Sequence, residues 1–281
     1  MSLTPLSWID THVHWDAPEF NADRDLMLRR ARAAGITHCI NPSVSAAGIN
    51  SVHQLAALSK QCPGWPIILP AFGIHPCYVM AMQPGDLELL EHWLQTNRPL
   101  AVGEIGLDRY EGAPDFEIQQ RIFESQLCLA SRHELPVIIH LRHAVEAVIQ
   151  SIQRIQGRGY RLLGGIAHAF NGSQVQAERL NAMGFVLGFG GSCTYEGSKR
   201  IRRLIESLPL AAIVLETDAP DMAPIWLRGQ RNDSSQLTSI AAVVAKLKNV
   251  PMADLSEHNR QNIERVFMTH QDGANPQSVI F

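Results

Sequence analysis

The sequence lacks the features that mark disulfide-stapled, secreted or membrane-spanning proteins. It has five cysteines, an odd number, and no two of them have the Cys-x-x-Cys spacing: Cys39, Cys62, Cys77, Cys128 and Cys193. This usage argues against a disulfide framework or a zinc ribbon and favours buried thiols in a reducing compartment. The first six residues carry neither a basic region nor an apolar region of a signal peptide, and no apolar run is long enough to span a bilayer. We therefore expect a cytoplasmic protein.

The chain also lacks an excess of positive charge. Its formal net charge is −3, which argues against a broad basic surface that wraps duplex nucleic acid. A small anionic substrate in a local pocket stays compatible with this charge. With 46% hydrophobic and 18% charged residues over 281 positions, the chain is long enough for one large domain or two and has the composition of a globular protein.

Eight short apolar segments alternate with helical patterns along the chain. The predicted strands lie at 9–14, 36–40, 67–74, 101–104, 137–140, 164–168, 185–190 and 213–218. The predicted helices lie at about 23–34, 46–61 with a cap at Ser45, 86–96, 115–133, 144–156, 173–183, 234–247 and 252–268. Such alternation is typical of parallel strands joined by right-handed crossovers.

Eight strand–helix units favour a closed barrel over an open doubly wound sheet. No Gly-x-Gly-x-x-Gly follows the first strand, which weakens the dinucleotide-binding alternative. We predict the α/β class and a (β/α)₈ TIM barrel, as a single domain over 1–281. The barrel would occupy about 8–269, and 270–281 would form a C-terminal tail.

Potential metal ligands occur at the carboxyl ends of the predicted strands, where barrel enzymes place their sites. His12 and His14 are two positions apart on the first strand, so their side chains should point to the same face. His75, Glu104, His140, His168 and Asp218 end later strands. Any one histidine alone would more simply be structural. Together, these groups would converge, and without a metal each unpaired buried polar group would cost about 1–3 kcal/mol.

The number of these side chains indicates more than one metal. A single catalytic zinc usually has three protein ligands and one open position. Four of these histidines with the two carboxylates instead suit two divalent ions bridged by one carboxylate, a pair that activates water and neutralises charge on a leaving oxygen. Such ligands accept zinc, manganese, iron or cobalt, and magnesium less readily, so we leave the identity of the ions open among zinc, manganese and magnesium.

Six motifs in this order resemble the TatD family of metal-dependent deoxyribonucleases, in the amidohydrolase superfamily, and are closest to its YjjV-like branch. The motifs are 9–14 (IDTHVH), 73–76 (GIHP), 103–108 (GEIGLD), 136–140 (PVIIH), 168–172 (HAFNG) and 215–220 (LETDAP), and 259–267 resembles the family's closing helix. The chain departs from the family at Leu141 and His143, which flank Arg142, and at Asp221 and Met222. Both departures lie in loops that would face the substrate.

The resemblance implies a role for each site residue. His12, His14, Glu104 and Asp218 would hold one metal, and Glu104, His140 and His168 the second. Asp218 would help to deprotonate the attacking water, which makes Asp218 and the bridging Glu104 the catalytic pair.

Other residues would act around the two ions. His75 and Arg142 would approach the scissile phosphate, since a guanidinium is suited to paired phosphate contacts, although a surface salt bridge is the alternative for Arg142. Asp108 and Glu216 would orient ligands, with Asp10 a weaker candidate for the same role. We interpret the remaining histidines as structural or solvated: His38, His53, His92, His133, His258 and His270.

These inferences together predict a two-metal hydrolase, most simply a phosphodiesterase that acts on DNA ends. Hydrolysis of an amide, lactone or small phosphoester is the first alternative, and a metal-binding barrel without turnover is the second. We expect DNA ends or another small phosphodiester as the partner, with no membrane and no obligate protein partner.

Overall fold

Eight parallel strands form one sheet in the order in which they occur in the chain. A computed structural model describes residues 6–267. The strands are β1 (Trp8–Asp10), β2 (Ile36–Pro42), β3 (Ile67–Phe72), β4 (Ala101–Gly106), β5 (Val137–His140), β6 (Gly165–Ala167), β7 (Phe185–Phe189) and β8 (Ile213–Leu215). Each strand pairs in parallel with the next one, as right-handed crossovers require.

Backbone hydrogen bonds between the segments that follow β8 and β1 bring the two edges of the sheet together. The amide of Thr11 donates to Leu215 O at 3.1 Å, and the amide of Asp218 donates to His12 O at 2.8 Å. Val13 and Ala219 form a further parallel bridge. The predicted (β/α)₈ barrel is therefore confirmed.

Helices separate the strands and cover the outside of the barrel. They are α1 (Arg24–Ala33), α2 (Ile49–Ser59), α3 (Asp86–Asn97), α4 (Phe116–Arg132), α5 (Val145–Gly157), α6 (Gln174–Ala182), α7 (Lys199–Ser207), α8 (Leu237–Lys248) and α9 (Met252–Phe267). The starts of several follow from local capping: Asp115 accepts from the amide of Ile118, and Ser173 and Gln176 form a reciprocal capping box. None of the helices between residues 6 and 267 is long and apolar enough to cross a membrane.

The barrel interior is a separate apolar cluster that α9 completes. Inward side chains of the strands, such as Ile138 and Val214, pack with Ile263, Val266 and Phe267 of α9. The side chain of Asn259 accepts from Leu215 N and donates to Ile9 O, which fastens α9 to β8 and β1. The helix thus lies at the end of the barrel where the strands begin, and the opposite end stays open for a site.

The first strand is shorter than predicted. It ends at Asp10, because beyond it the regular pairing is broken: Thr11 N binds Leu215 O, whereas Val13 N, two positions later, binds Ile40 O on the opposite side. His12 and His14 nevertheless lie on the same side, with their Nε2 atoms 3.2 Å apart.

One helix was not predicted. Helix α7 buries Ile201, Leu204 and Ile205, at the spacing of a helical stripe, but the four basic residues among them hide this stripe in the sequence. The other predicted bounds agree within about three residues. The last predicted helix is described as far as Phe267, and the predicted tail and His270 lie outside the described residues.

Candidate metal centre

The open end of the barrel gathers the side chains that the sequence placed at strand ends. Nitrogen and oxygen donors form three groups, each with all its atoms within 4.8 Å of one another. The groups are His12, Glu104 and His168; His12, His14 and Asp218; and His75, Glu104 and His140. These include all six predicted metal ligands, because the carboxyl ends of parallel strands in a barrel converge.

Glu104 lies at the centre, and its two oxygens face different imidazoles. Oε2 is 3.2 Å from Nε2 of His12 and 3.5 Å from Nε2 of His14. Oε1 is 3.1 Å from Nδ1 of His140 and 3.3 Å from Nε2 of His168. A single carboxylate is thus shared between two pairs of nitrogen donors.

Asp218 joins the first of these pairs. Its Oδ1 is 3.7 Å from Nε2 of both His12 and His14, and its side chain also lines the cleft above. The backbone of Asp218 has φ of 55°, in the left-handed region that an Asp adopts more readily than most residues. This conformation follows directly after β8 and, with the bond to His12 O, fixes the carboxylate beside the two histidines.

Two outer carboxylates contact the far sides of ligand imidazoles. Oδ2 of Asp108 is 2.8 Å from Nε2 of His140, and Oε1 of Glu216 is 3.5 Å from Nδ1 of His168. Such carboxylates fix the orientation and tautomer of a ligand imidazole. Asp108 and Glu216 lie where they could orient these rings, and that role stays a prediction.

His75 differs from the other imidazoles in the hydrogen bond that it makes. Its Nδ1 accepts from the amide of Cys77 at 3.1 Å, so a neutral ring carries its proton on Nε2. Burial lowers the pKa of His75 to about 3, which keeps the ring neutral. Nε2 lies 3.6 Å from Oε1 of Glu104 and points its N–H into the site. His75 lies close enough to Glu104 and His140 to share a metal ion with them. In this tautomer, however, its Nε2–H is a hydrogen-bond donor.

Arg142 is exposed at the cleft. The alternative role considered for it was a surface salt bridge. None of the carboxylates in the described part of the chain forms an ion pair with it. Its guanidinium carbon lies 3.5 Å over the ring centre of Tyr110, a cation–π contact. The N–H donors of Arg142 therefore stay available to an anion. Tyr110 was not identified from the sequence, because its contact with Arg142 arises from the folding of two separate loops.

The charges of the centre suit two divalent cations. Glu104, Asp108, Asp218 and Glu216 are buried or nearly so, and their ion-pair partners over residues 6–267 are histidines. With the imidazoles neutral, as they must be to ligate a metal, four carboxylates would leave an excess of buried negative charge, which is costly unless it is compensated. Two divalent cations would balance this negative charge, so the residues present fit the predicted pair of metal ions.

The pKa shifts describe how strongly these groups interact. Burial lowers the pKa of His12 well below its ordinary value, and this favours the neutral ring that ligates metals. Burial opposes ionisation of Glu104, but the surrounding imidazoles, His12 first, outweigh burial and hold its pKa well below the ordinary value. Burial also raises the pKa of Asp218 to about 6.

Asp10 holds together the segments around the candidate metal centre and does not contact the imidazole ring of a predicted ligand. It is fully buried, and burial raises its pKa to about 7. Its carboxylate accepts from the amide and hydroxyl of Thr217 at 2.9 and 2.6 Å and from the hydroxyl of Ser234 at 2.6 Å. Asp10 thus ties β1 to the segment that carries Asp218. Thr217 and Ser234 were missed in the sequence, because hydroxyl residues are common throughout the chain.

A cleft of about 1060 Å³ opens above the centre. One part of its lining is acidic, with Asp16, Glu19 and Asp221, and another carries Arg142 and Arg200. The five other described histidines, which the sequence analysis interpreted as structural or solvated, are absent from this lining: His38, His53, His92, His133 and His258.

Comparison with known proteins agrees with this arrangement. The model of the family described as TatD related DNase matches residues 9–268. The chain belongs to the TatD family. It is 36% identical over 263 residues to the uncharacterized metal-dependent hydrolase YjjV of Escherichia coli, a match that covers 92% of this chain and 97% of YjjV.

Further relatives extend the TatD comparison. The human deoxyribonuclease TATDN3 is 30% identical, over 95% of this chain and 97% of its own. The crystal structure of the Escherichia coli TatD homologue YjjV superposes with a TM-score of 0.85 at 35% identity, over 93% of this chain and 98% of that one. The present protein is accordingly a metal-dependent hydrolase of the TatD family.

The departures of this TatD chain from the family pattern surround the substrate cleft. His143 stacks beside Tyr110, with ring centres 6.0 Å apart and planes at 20°. Leu141 is buried, and Leu141 and Met222 both line the cleft. The predicted metal ligands lie within the motifs that carry the resemblance, whereas these departures lie beside the cleft.

Proposed function

We propose that this TatD protein is a two-metal phosphodiesterase that acts on the ends of DNA strands. The observation that carries the proposal is the position of Glu104, whose two oxygens face separate pairs of imidazoles. A family model described as TatD related DNase and a relative named a deoxyribonuclease support the choice of DNA.

The residues divide into two ligand sets that share Glu104. His12, His14 and Asp218 would complete the first set, and His140 and His168 the second. Two divalent ions held there would lower the pKa of a water molecule and neutralise the negative charge of a phosphodiester. Zinc, manganese and magnesium are the candidate ions, with nitrogen-rich ligands favouring the first two.

The remaining roles follow from what each side chain offers. The carboxylate of Asp218 faces the cleft and would accept the proton of the attacking water. Nε2–H of His75 and the free guanidinium of Arg142 would donate to the phosphate oxygens. Asp108 and Glu216 would hold His140 and His168 in position.

The depth of the centre favours strand ends over continuous duplex. His12 is fully buried and Glu104 is 2% exposed, so the scissile phosphate must enter the cleft to reach them. A terminal phosphodiester can do so, whereas an intact duplex would require a broad basic surface that the net charge of −3 does not supply.

Elemental analysis combined with a nuclease assay tests this proposal. Protein purified without chelator should hold about two divalent ions per chain and degrade oligonucleotides from an end, and Glu104→Ala should lose both properties. The same preparation should be offered amide, lactone and small phosphoester substrates. If the protein holds one tight ion and Glu104→Ala leaves its binding unaffected, Glu104 does not bridge two ions. If the protein hydrolyses an amide or lactone but does not cleave DNA, the proposal that its substrate is DNA is refuted.

A further inference from the structure

The N-terminal half of helix α7 carries four basic residues and no acidic residue. Lys199, Arg200, Arg202 and Arg203 lie within its first five positions, in a protein whose net charge is −3. The nearest acidic residues in the sequence are Glu196, before the helix, and Glu206, in its last turn.

The position of these charges is unfavourable for the helix itself. Basic residues near a helix N-terminus are repelled by the macrodipole, and like charges three or four positions apart repel each other. Lys199 and Arg203 have this spacing, as do Arg200 and Arg203, and the first turn of α7 contains no acidic residue. Local stability therefore does not explain why the charges are there.

Ion pairing does not explain them either. Arginines on other helices pair with carboxylates: Arg29 with Asp25, Arg154 with Glu124, and Arg179 with Glu146. Within residues 6–267, the four basic residues of α7 form no ion pair. Arg202 donates to Cys193 O and Arg200 donates weakly to Asn171 O, whereas Lys199 and Arg203 are exposed.

The location of α7 connects its charge to the metal centre. The helix begins at the open end of the barrel, and Arg200 lines the same cleft as Glu104 and Asp218. The acidic residues Asp16, Glu19 and Asp221 of the cleft lining lie on loops that follow β1 and β8, whereas Glu146 of α5, which also lines the cleft, is paired with Arg179. A polyanion that leaves the metal centre is therefore repelled on that side and attracted towards α7.

We propose that Lys199, Arg200 and Arg203 bind the backbone phosphates of the single-stranded DNA that extends from the end held at the metal centre. This inference rests on the proposed nuclease function and adds the path of the strand outside the cleft. Because the three side chains contact phosphates that are not cleaved, the affinity for substrate should grow with strand length.

The test compares a long single-stranded oligonucleotide with a dinucleotide. For the variant Lys199→Ala/Arg200→Ala/Arg203→Ala, the ratio of kcat/KM on the oligonucleotide to kcat/KM on the dinucleotide should fall about tenfold at low salt. The slope of log KM against log salt for the oligonucleotide should decrease by about 2. The melting temperature should stay equal or rise, because the charges oppose the helix dipole.

A matched control removes the same charge elsewhere. Arg32, Lys60 and Arg161 are exposed, and they lie at the ends of the barrel helices remote from the cleft or just before β6. Their triple replacement by alanine should leave kcat/KM on both substrates unchanged. If the α7 variant melts early, Arg203→Glu alone provides the second test.

Two outcomes are decisive. If both α7 variants keep the wild-type ratio of kcat/KM on the two substrates and the wild-type slope of log KM against log salt, the proposed contact of α7 with the strand is wrong. The proposed nuclease function would not be affected by that result. Absence of hydrolysis of both substrates by the metal-loaded wild type would instead overturn the proposed function.

Discussion

Replacing Gly188 by alanine should damage the metal centre from a buried strand position that contacts no predicted metal ligand. Gly188 lies within β7, and a Cβ built on it would be 2.0 Å from Oε2 of Glu216 and 2.6 Å from its Cδ. The backbone there has no positive φ, so the steric conflict is with the side chain of Glu216 alone. Glu216 is fully buried.

The expected cost follows from two displaced contacts. Overpacking a tight interior costs about 1–3 kcal/mol. Glu216 would also lose the hydrogen bond that its Oε1 accepts from Ala169 N at 2.6 Å, and hydrogen bonds to charged groups contribute about 1.5–3 kcal/mol. Since the two effects overlap, we expect a loss of about 3 kcal/mol in the free energy of unfolding. Because Oε1 also faces His168, metal affinity should fall by about 10- to 100-fold.

Urea unfolding and metal titration of the same variants provide the assay. Gly157→Ala is the matched control, because its Cβ would meet nothing within 4 Å and alanine suits a helix, which should raise stability by up to about 1 kcal/mol. Adding Glu216→Ala to Gly188→Ala removes the conflict, so the double variant should be no less stable than Glu216→Ala alone. A Gly188→Ala protein with the stability and metal affinity of the wild type would refute the reasoning.

The other predictions concern groups that face the cleft. Arg142→Ala should lower phosphodiester turnover by about 10²-fold at unchanged metal content, and Arg142→Lys should recover only part of it, because an ammonium lacks the paired geometry; equal activity of all three proteins would make Arg142 a surface residue. Asp218→Asn should keep most of its metal but lose about 10³-fold in kcat, or about 4 kcal/mol of barrier, as measured with metal content across a metal titration. His140→Ala should lose one ion first and regain some activity in excess metal. Full recovery of Asp218→Asn with added metal would show that Asp218 is a ligand only.

The sequence predicted the barrel and the residues at its centre because both depend on local patterns. Apolar runs that alternate with helical patterns imply parallel strands, and the carboxyl ends of such strands meet in a barrel. His140 and His168 could therefore be assigned to one site although they belong to different strands. Their distances of 3.1 and 3.3 Å from Oε1 of Glu104 follow from that convergence.

Features that depend on loops were not predictable in the same way. The contact of Arg142 with Tyr110 joins the segments after β4 and β5, and no periodicity specifies how such segments approach each other. The proton position on His75 depends on one amide, that of Cys77, in a turn. In both cases the side chain was identified from the sequence, but the partner that determines its chemistry was not.

The hydrogen bonds of Asp10 also restrict the order in which the protein can fold. Asp10 joins Thr217 and Ser234 across 207 and 224 positions of the chain, so synthesis must pass the eighth strand before these bonds can form. His12 and His14 are synthesised before Asp218, which follows more than two hundred residues later in the chain. Contacts between residues so distant in sequence form slowly, because a long loop must close before they are gained. The candidate metal site can thus be completed only after the eighth strand and most of the barrel have been made.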